Sequence, residues 1–340
     1  MAAGPSIYDI ARLAGISAGS VSKILNNKGH FSDATRKRVR DIAVQQGYVA
    51  NFAAKSLREL RSRSVGIITP DVSNEFFSSI VLDAEIALRE HGYTSYICNF
   101  SNEASVEEAC VRGLRHKQVD AFLFVGGSGA VSRELVGEST PVACVDRIGC
   151  GGLCVEVGND ARAMAYDATR TLVAHGCRRI VYLSVFRGLS QLAHGGRFAG
   201  YCQALEEAGL AVDESLVVEG PHHKRSYVEA EEIVCALLDG GRGFDGIVAV
   251  GDRIAVGALN ALRRRGVAVG SDVRVIGMDN MLYTRIMSPT ISTIDRHTDV
   301  LAQDSAMALF AMLEGERSAG DKVVVPHRVI ERETTLGLQG

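Results

Sequence analysis

Between residues 65 and 278 the chain repeats one order of elements, and that order limits the folds open to it. Short apolar runs at 65–69, 96–98, 121–125, 142–145, 180–183, 247–250 and 273–278 alternate with helical stretches. Gly92, Gly176, Gly209 and Gly266 each stand at the end of a helical stretch, before the next strand region. Glycine at that place supplies the left-handed backbone that stops a helix without a Cβ penalty. Strands joined through helices run parallel, because a parallel pair needs a long crossover. The body is therefore expected to be α/β with parallel sheets. Such a fold hosts many chemistries and leaves function open.

Residues 6–47 follow a different rhythm. Ile7, Ile10, Ala11 and Ala14 recur at helical spacing behind Ser6, and Asp9 stands three residues after that cap. Gly15 ends this helix, and Ser17 opens a second with Val21, Ile24 and Leu25 on its apolar side. A third starts at Ser32, buries Val39, Ile42 and Ala43, stops at Gly47, and shows Arg36, Lys37, Arg38 and Arg40 on its other face. Helix, tight turn and helix make a helix-turn-helix layout. The outer face of the second helix carries Ala18, Gly19, Ser20, Ser22, Lys23, Asn26 and Asn27. Small and hydrogen-bonding groups suit a helix lying in a DNA major groove; a merely solvated face would carry Glu–Lys pairs.

Charge points the same way. Residues 1–63 hold eleven Lys/Arg against four Asp/Glu, a net of +7, so the rest of a chain whose total is −3 carries −10. A basic head on an acidic body implies a polyanion partner for the head alone. No run reaches the 18 or so apolar residues of a membrane span, and Met1-Ala2-Ala3-Gly4-Pro5 lacks the layout of a secretory signal. The expected compartment is the cytoplasm. Cys98, Cys110, Cys177, Cys202 and Cys235 lie in apolar segments, while Cys144, Cys150 and Cys154 come nearest to a cluster but include no C-x-x-C. All eight are read as reduced thiols, with no metal and no cofactor.

These residues carry a specific resemblance. The run from Ile7 to Ser17, then Val21-Ser22-Lys23-Ile24-Leu25-Asn26, then Ser32-Asp33-Ala34-Thr35-Arg36 with Val39 and Gly47-Tyr48, resembles the head of the LacI/GalR (lactose-repressor-like) family of bacterial transcriptional regulators. The resemblance implies base reading by Ala18, Gly19 and Lys23, and phosphate contacts from Tyr8, Ser17, Ser22, Asn26, His30, Ser32 and Thr35. Gly19 brings no side chain, so direct readout falls to Lys23, with Ala18 limited to a thymine methyl. Asn51-Phe52-Ala53-Ala54-Lys55-Ser56-Leu57-Arg58 is similar to the family's hinge helix, with Ala50 where proline is common. It implies DNA contacts from Ala54, Leu57 and Arg58, Leu57 being the wedge between base steps of the minor groove. A helix this short is marginal alone in water.

The body resembles the same family at residues 64–68, 71–77, 141–147, 196–201, 252–258 and 275–280. This implies two subdomains like a periplasmic sugar-binding protein, crossed three times by the chain near Gly158, Thr293 and Gly320, with ligand between them. The head is placed at 1–48, the hinge and linker at 49–63, and the body at 64–340. Within the body, one subdomain takes 64–158 and 294–320, and the other takes 159–293 and 321–340. Effector-facing positions by the resemblance are Phe76, Phe77, Asp146, Arg147, Arg197, Gly251, Asp279 and Arg296. Glu75 stands where proline is usual, Gly251 where Asn is usual, and Arg296 where Gln is frequent. With Arg253, the arginines lean the effector towards a sugar acid or phosphosugar.

The function expected is a sequence-specific regulator, a repressor, bound to a palindromic double-stranded operator and controlled by a small sugar-like effector. One short recognition helix reads too little for specificity, so a homodimer on two half-sites is expected, with no membrane partner. No leucine heptad follows the strand-like 323–331, which favours a dimer over a tetramer. Two rival classes fit these residues less well. An enzyme would need more than Gly126-Gly127-Ser128-Gly129-Ala130, which completes neither a dinucleotide fingerprint, for Ser132 replaces its third glycine, nor a nucleophile elbow, for Ala130 replaces its second. His222-His223-Lys224-Arg225 lacks further ligands at zinc spacing. A free solute-binding protein leaves the helix-turn-helix without a role.

Overall fold

A computed structural model describes residues 5–48, 61–147, 149–184, 196–220 and 226–337. The chain divides into two compact units, Met1–Ser62 and Arg63–Gly340.

In the first unit, α1 (Ile7–Ala14), α2 (Ala18–Leu25) and α3 (Asp33–Gln45) begin where their caps dictate. The Ser6 hydroxyl accepts from the Asp9 N–H, and the Asp9 carboxylate accepts from the Ser6 N–H at 2.9 Å, a reciprocal capping box. Ser17 and Ser32 accept from the N–H groups of Ser20 and Thr35 in the same way. Ile10, Ala11, Ala14, Val21, Ile24 and Val39 form the core. It is small, so caps of about 1 kcal/mol each are a real share of its stability. Arg36 donates to the Gly29 carbonyl at 2.5 Å and lies over the Phe31 ring, and Arg40 donates to Asn27 Oδ1 at 2.5 Å. Two of the basic residues of α3 therefore hold the turn that follows α2.

The second unit holds two six-stranded sheets. Its strands are β1 (Ser64–Thr69), β2 (Thr94–Asn99), β3 (Ala121–Val125), β4 (Val142–Val145), β5 (Val155–Gly158), β6 (Ile180–Ser184), β7 (Val217–Glu219), β8 (Gly246–Ala249), β9 (Arg274–Asp279), β10 (Ser292–Asp295), β11 (Lys322–Val324) and β12 (Arg328–Ile330). The first sheet runs β11-β5-β4-β3-β1-β2 and is wholly parallel. The second runs β12-β10-β9-β8-β6-β7, parallel except for β12 at its edge. Helices α4 (Glu75–Glu90) and α5 (Ala104–His116) cover the first sheet; α6 (Ala161–Ala174), α7 (Arg197–Glu207), α8 (Ser226–Asp239) and α9 (Asp252–Arg264) belong with the second. The last long helix, α10 (Thr298–Leu313), returns to the first sheet against α4 and β4. Strand β3 shows why its apolar run does not alternate. Ala121, Leu123 and Val125 enter one core, while Phe122 and Phe124 enter another on the opposite face.

Gly92, Gly176, Gly209 and Gly266 take φ of +78°, +89°, +69° and +69°, the left-handed backbone their positions call for. The chain crosses between the sheets at 158–161, 295–298 and 324–328. The last two crossings fall later than Thr293 and Gly320. Strand β10 still pairs with β9 as far as Asp295, and β11 still pairs with β5 as far as Val324. The strand-like 323–331 is thus parts of two strands in different sheets. Pro326 stands between them and has no N–H to give to either ladder.

Two helix pairs touch through a glycine. A Cβ on Gly200 of α7 would lie 2.0 Å from the Arg162 carbonyl oxygen of α6, and one on Gly257 of α9 would lie 2.2 Å from the Tyr227 carbonyl oxygen of α8. Gly113, inside α5, has nothing within 4 Å of the same atom. Gly200→Ala should cost about 1–3 kcal/mol in urea unfolding because backbone must move apart. Gly113→Ala should instead gain up to about 1 kcal/mol from helix propensity. Equal effects at the two positions would contradict the close packing.

Candidate functional site

The head presents a face without a hydrophobic partner. Val21 and Ile24 anchor α2 in the core, which turns Gly19, Lys23 and Asn26 outward, with Ala18 and Ser22 half-buried beside them. Tyr8, Ser17, His30 and Ser32 are exposed around that face and Thr35 is half-buried; Tyr8 is 75% exposed despite its large ring. Gly19 is required by no neighbour: a Cβ there would meet only the Ser17 hydroxyl, at 3.8 Å. A glycine inside a helix costs about 1 kcal/mol against alanine, so its presence on this face has no return within the head. Ala54, Leu57 and Arg58 lie outside the described residues, as do the rest of the expected hinge helix and the 222–225 run.

In the body, Asp146 and Arg296, the first residues past β4 and β10, and Asp279, the last residue of β9, converge on one point at the carboxyl ends of these strands, the usual place for ligands in open α/β sheets. The Arg296 side chain is only 2% exposed. Its Nη2 donates to Asp146 Oδ1 at 2.5 Å, its Nη1 lies 3.3 Å from both Asp146 Oδ2 and Asp279 Oδ1, and its Nε donates to Asn159 Oδ1 at 3.0 Å. The guanidinium rests 4.1 Å over the Phe76 ring. Asn159 Nδ2 in turn donates to the carbonyls of Arg296, at 3.1 Å, and Val325, at 2.9 Å. Asn159, Arg296 and Val325 lie one on each crossing, so this pair of side chains ties all three together. Asp146, Asp279 and His297 take φ of +51°, +127° and +53°. Left-handed backbone at such residues costs about 1–3 kcal/mol each and persists where its surroundings impose it.

The carboxylates respond differently to this setting. Burial pushes Asp146 up, but the Arg296 and Arg197 guanidiniums outweigh it and hold the carboxyl below its ordinary range. Asp279 is raised to about 6 by burial, against the same two arginines and with Asp146 adding to the rise. Asp252, wholly buried at the start of α9, is raised to about 8 by burial and then by Asp279. It accepts from Thr293 Oγ1 at 2.6 Å and from the Met281 N–H at 2.9 Å. Two donors here have no partner among the described residues: the buried Nε of Arg197, whose charge reaches Asp146 and Asp279, and the buried Tyr283 hydroxyl, which feels Asp252 and Asp279. A buried donor left unpaired costs about 1–3 kcal/mol, so both favour an incoming acceptor.

Two bridges join the subdomains nearby. Arg253 Nη1 donates to Asp71 Oδ2 at 3.1 Å, and the Leu282 N–H donates to Glu75 Oε1 at 3.2 Å. Glu75, in the place where proline was expected, makes the second of these. The structure reassigns two of the residues expected to face effector. Phe76 is buried in the core beneath Arg296, while half-buried Phe77 packs edge-on against it at 5.4 Å. The Arg147 side chain, 3% exposed, is held by Glu107 at 2.6 Å and by the carbonyls of Ser128 and Gly129, with its guanidinium over Phe124. It props the glycine turn after β3 and has no donor to spare for a ligand. Gly251 has extended backbone, and a Cβ there would sit 3.5 Å from Asp279 Oδ2, so glycine leaves room beside that carboxylate. Asn159 and Asp252 were missed as site residues. The available signal was a polar residue directly after a strand or wholly apolar run, and Asp252 also opens one of the segments that carry the resemblance.

Comparison with known proteins follows the same division. Residues 6–51 match the bacterial regulatory proteins of the lacI family, and residues 169–335 match the periplasmic binding protein-like domain. The chain is 31% identical to the HTH-type transcriptional regulator RegA of Clostridium saccharobutylicum, over 97% of this chain and 99% of that protein. A transcriptional regulator CelR–cellobiose complex matches at 25% identity with a TM-score of 0.71, covering 97% of this chain and 99% of the other. The lac repressor dimer bound to operator and the anti-inducer ONPF shares the fold, with a TM-score of 0.84 at 20% identity over 98% of this chain and 100% of that one. Among the described residues no helix is long and apolar enough to cross a membrane. With a helix-turn-helix head, a binding-protein-like body and a full-length relative of this kind, the chain belongs to the LacI family of DNA-binding transcriptional regulators and is not an enzyme.

Proposed function

We propose that this regulator is a repressor that binds a palindromic operator as a homodimer and responds to a neutral, hydroxyl-rich sugar held between the subdomains of its body. The observation that carries the effector assignment is the pair of unpartnered buried donors, on Arg197 and Tyr283, beside the carboxylates of Asp146 and Asp279. A sugar offers acceptors to the first pair and hydroxyl donors to the second. The arginine count suggested an anionic effector, but most of that charge is already matched. Arg147 pairs with Glu107, Arg253 with Asp71, and Arg296 with Asp146 and Asp279. Arg197, the fourth, has a buried Nε without a partner among the described residues, and its charge acts on Asp146 and Asp279, so two arginines stand against two carboxylates, which supports a neutral polyol over a sugar acid or phosphosugar. A thermal-shift panel of neutral sugars, sugar acids and phosphosugars tests this. Stabilisation by the charged compounds alone would reject it.

The operator reading rests on α2. A helix face that gives up stability for Gly19 suits a backbone that must approach bases closely, with Lys23 beside it as the residue able to reach a base edge. Dimerisation follows from the small footprint of one such helix, and the lac repressor structure holds a dimer on its operator. Gly19→Ala should raise the thermal stability of the full chain's head yet weaken or alter operator preference. Lys23→Ala should cost about 1–3 kcal/mol on the preferred operator and relax one base position per half-site. Binding across all single-base operator variants reads both. Unchanged preference in both variants would remove α2 from base reading.

The raised Asp279 carboxyl gives the effector site a pH dependence of known sign. Its ionised form accepts a sugar hydroxyl, so binding favours proton release. Affinity should be full once pH is well above the Asp279 pKa of about 6 and fall as pH drops through it. In Asp279→Asn the affinity should be lower and the fall across this range lost, and Arg197→Ala should lose the ligand response while keeping operator affinity. Calorimetry from pH 5 to 8 on the three proteins decides; a fall that persists in Asp279→Asn would assign it to another group.

A further inference from the structure

Away from the effector node, the body gathers three sulfurs. The Sγ atoms of Cys144, Cys150 and Cys154 all lie within 4.8 Å of one another, and each of these residues is at most 1% exposed. Cys144 is the third residue of β4, and Cys154 immediately precedes β5. Between them, Gly149 and Gly151 take φ of +70° and +73°, curling the turn so that Cys150 points back at the other two. No other group of three His, Cys, Asp or Glu with this convergence occurs among the described residues.

We propose that these cysteines form a three-thiolate site for a trivalent thiophilic metalloid, of which arsenic(III) is the type. Thiolate sulfur is a soft donor and selects soft acceptors over oxygen-seeking ions. The surroundings then decide the charge. The sulfurs belong to an apolar cluster with Phe122, Val131 and Val142, where an uncompensated charge is strongly disfavoured. Three thiolates carry −3, so a monovalent ion leaves −2, a divalent ion −1, and a trivalent centre none. The nearby Glu156 carboxylate is paired with Lys322 at 3.1 Å and is not a free fourth ligand. Binding is balanced without an oxidant. As(OH)3 exchanges its three As–O bonds for three As–S bonds, the three thiol protons leave in three waters, and arsenic stays trivalent. Entry is through the turn, whose Gly149, Gly151 and Gly152 are exposed. Occupancy also has a route to the effector node, since the Cys150 thiol faces the Arg147 carbonyl at 3.9 Å and Asp146 is the preceding residue.

The test uses the reduced full-length chain and arsenite, with bound arsenic counted after desalting and its sulfur coordination read by X-ray absorption. Cys98 and Cys110 are a second pair of neighbouring thiols, Cys110 adding to the rise that burial gives Cys98, so a Cys98→Ser/Cys110→Ser background removes the competing pair. The expected result is one arsenic per chain with three sulfur neighbours, kept in that background and weakened at least a hundredfold in Cys150→Ser. The coordination number in the unaltered chain stands whether or not Cys150→Ser folds. Two-sulfur coordination, loss of binding in the Cys98→Ser/Cys110→Ser background, or displacement of arsenite by an equal concentration of Zn2+ would overturn the proposal.

Discussion

The buried charge of Arg296 sets the terms for the rest of the body. Moving a guanidinium out of water costs several kcal/mol even after relaxation, and that cost is met only by close, well-oriented partners. Here the partners come from opposite sides: Asp146 from the first sheet and Asp279 from the second. Asn159 supplies the remaining acceptor and carries the connection on to Val325. The two halves therefore meet in an arrangement in which one cation sees both carboxylates, and the three crossings are fastened where they pass. The left-handed backbone at Asp146 and Asp279 is what this convergence demands of the chain.

The same network supports the proposal of a polar, uncharged ligand. Guanidinium and carboxylates satisfy each other, which leaves oriented dipoles and a few open donors in place of a free charge. The residues that depart from the family's common pattern fit this setting. Glu75 adds a bridge to Leu282, Gly251 clears space beside Asp279, and Arg296 brings the cation. In the head the comparable departure is Gly19, which trades helix stability for a bare backbone on the outward face.

The sequence disclosed what depends on period and punctuation. Helix starts at Ser6, Ser17 and Ser32 were legible because a side-chain acceptor must stand there, and the glycine stops because only glycine takes that φ freely. The parallel sheets were legible from short apolar runs joined through helical stretches. The crossings after β10 and β11 were not, because a strand's sheet is decided by which edge accepts its hydrogen bonds, and Val323-Val324-Val325 suits either edge equally. Within the site, residue types were visible but their pairing was not. Arg147 and Arg296 look alike in sequence, yet one braces a turn beside Glu107 and the other joins two subdomains. Likewise the spacing of Cys144, Cys150 and Cys154 fits no familiar ligand pattern, and only the glycine turn brings their sulfurs together.

Arg296 and Asp146 act as one buried unit that holds the halves of the body together. A double-mutant cycle in urea unfolding, with Arg296→Gln, Asp146→Asn and the pair combined, measures that unit directly. Either single change should be strongly destabilising, by about 3–5 kcal/mol, because it leaves the partner charge buried without compensation. The combined variant should lose much less than the sum of the two, with a coupling of about 2 kcal/mol or more. Additive losses would show instead that the two side chains stabilise the body independently.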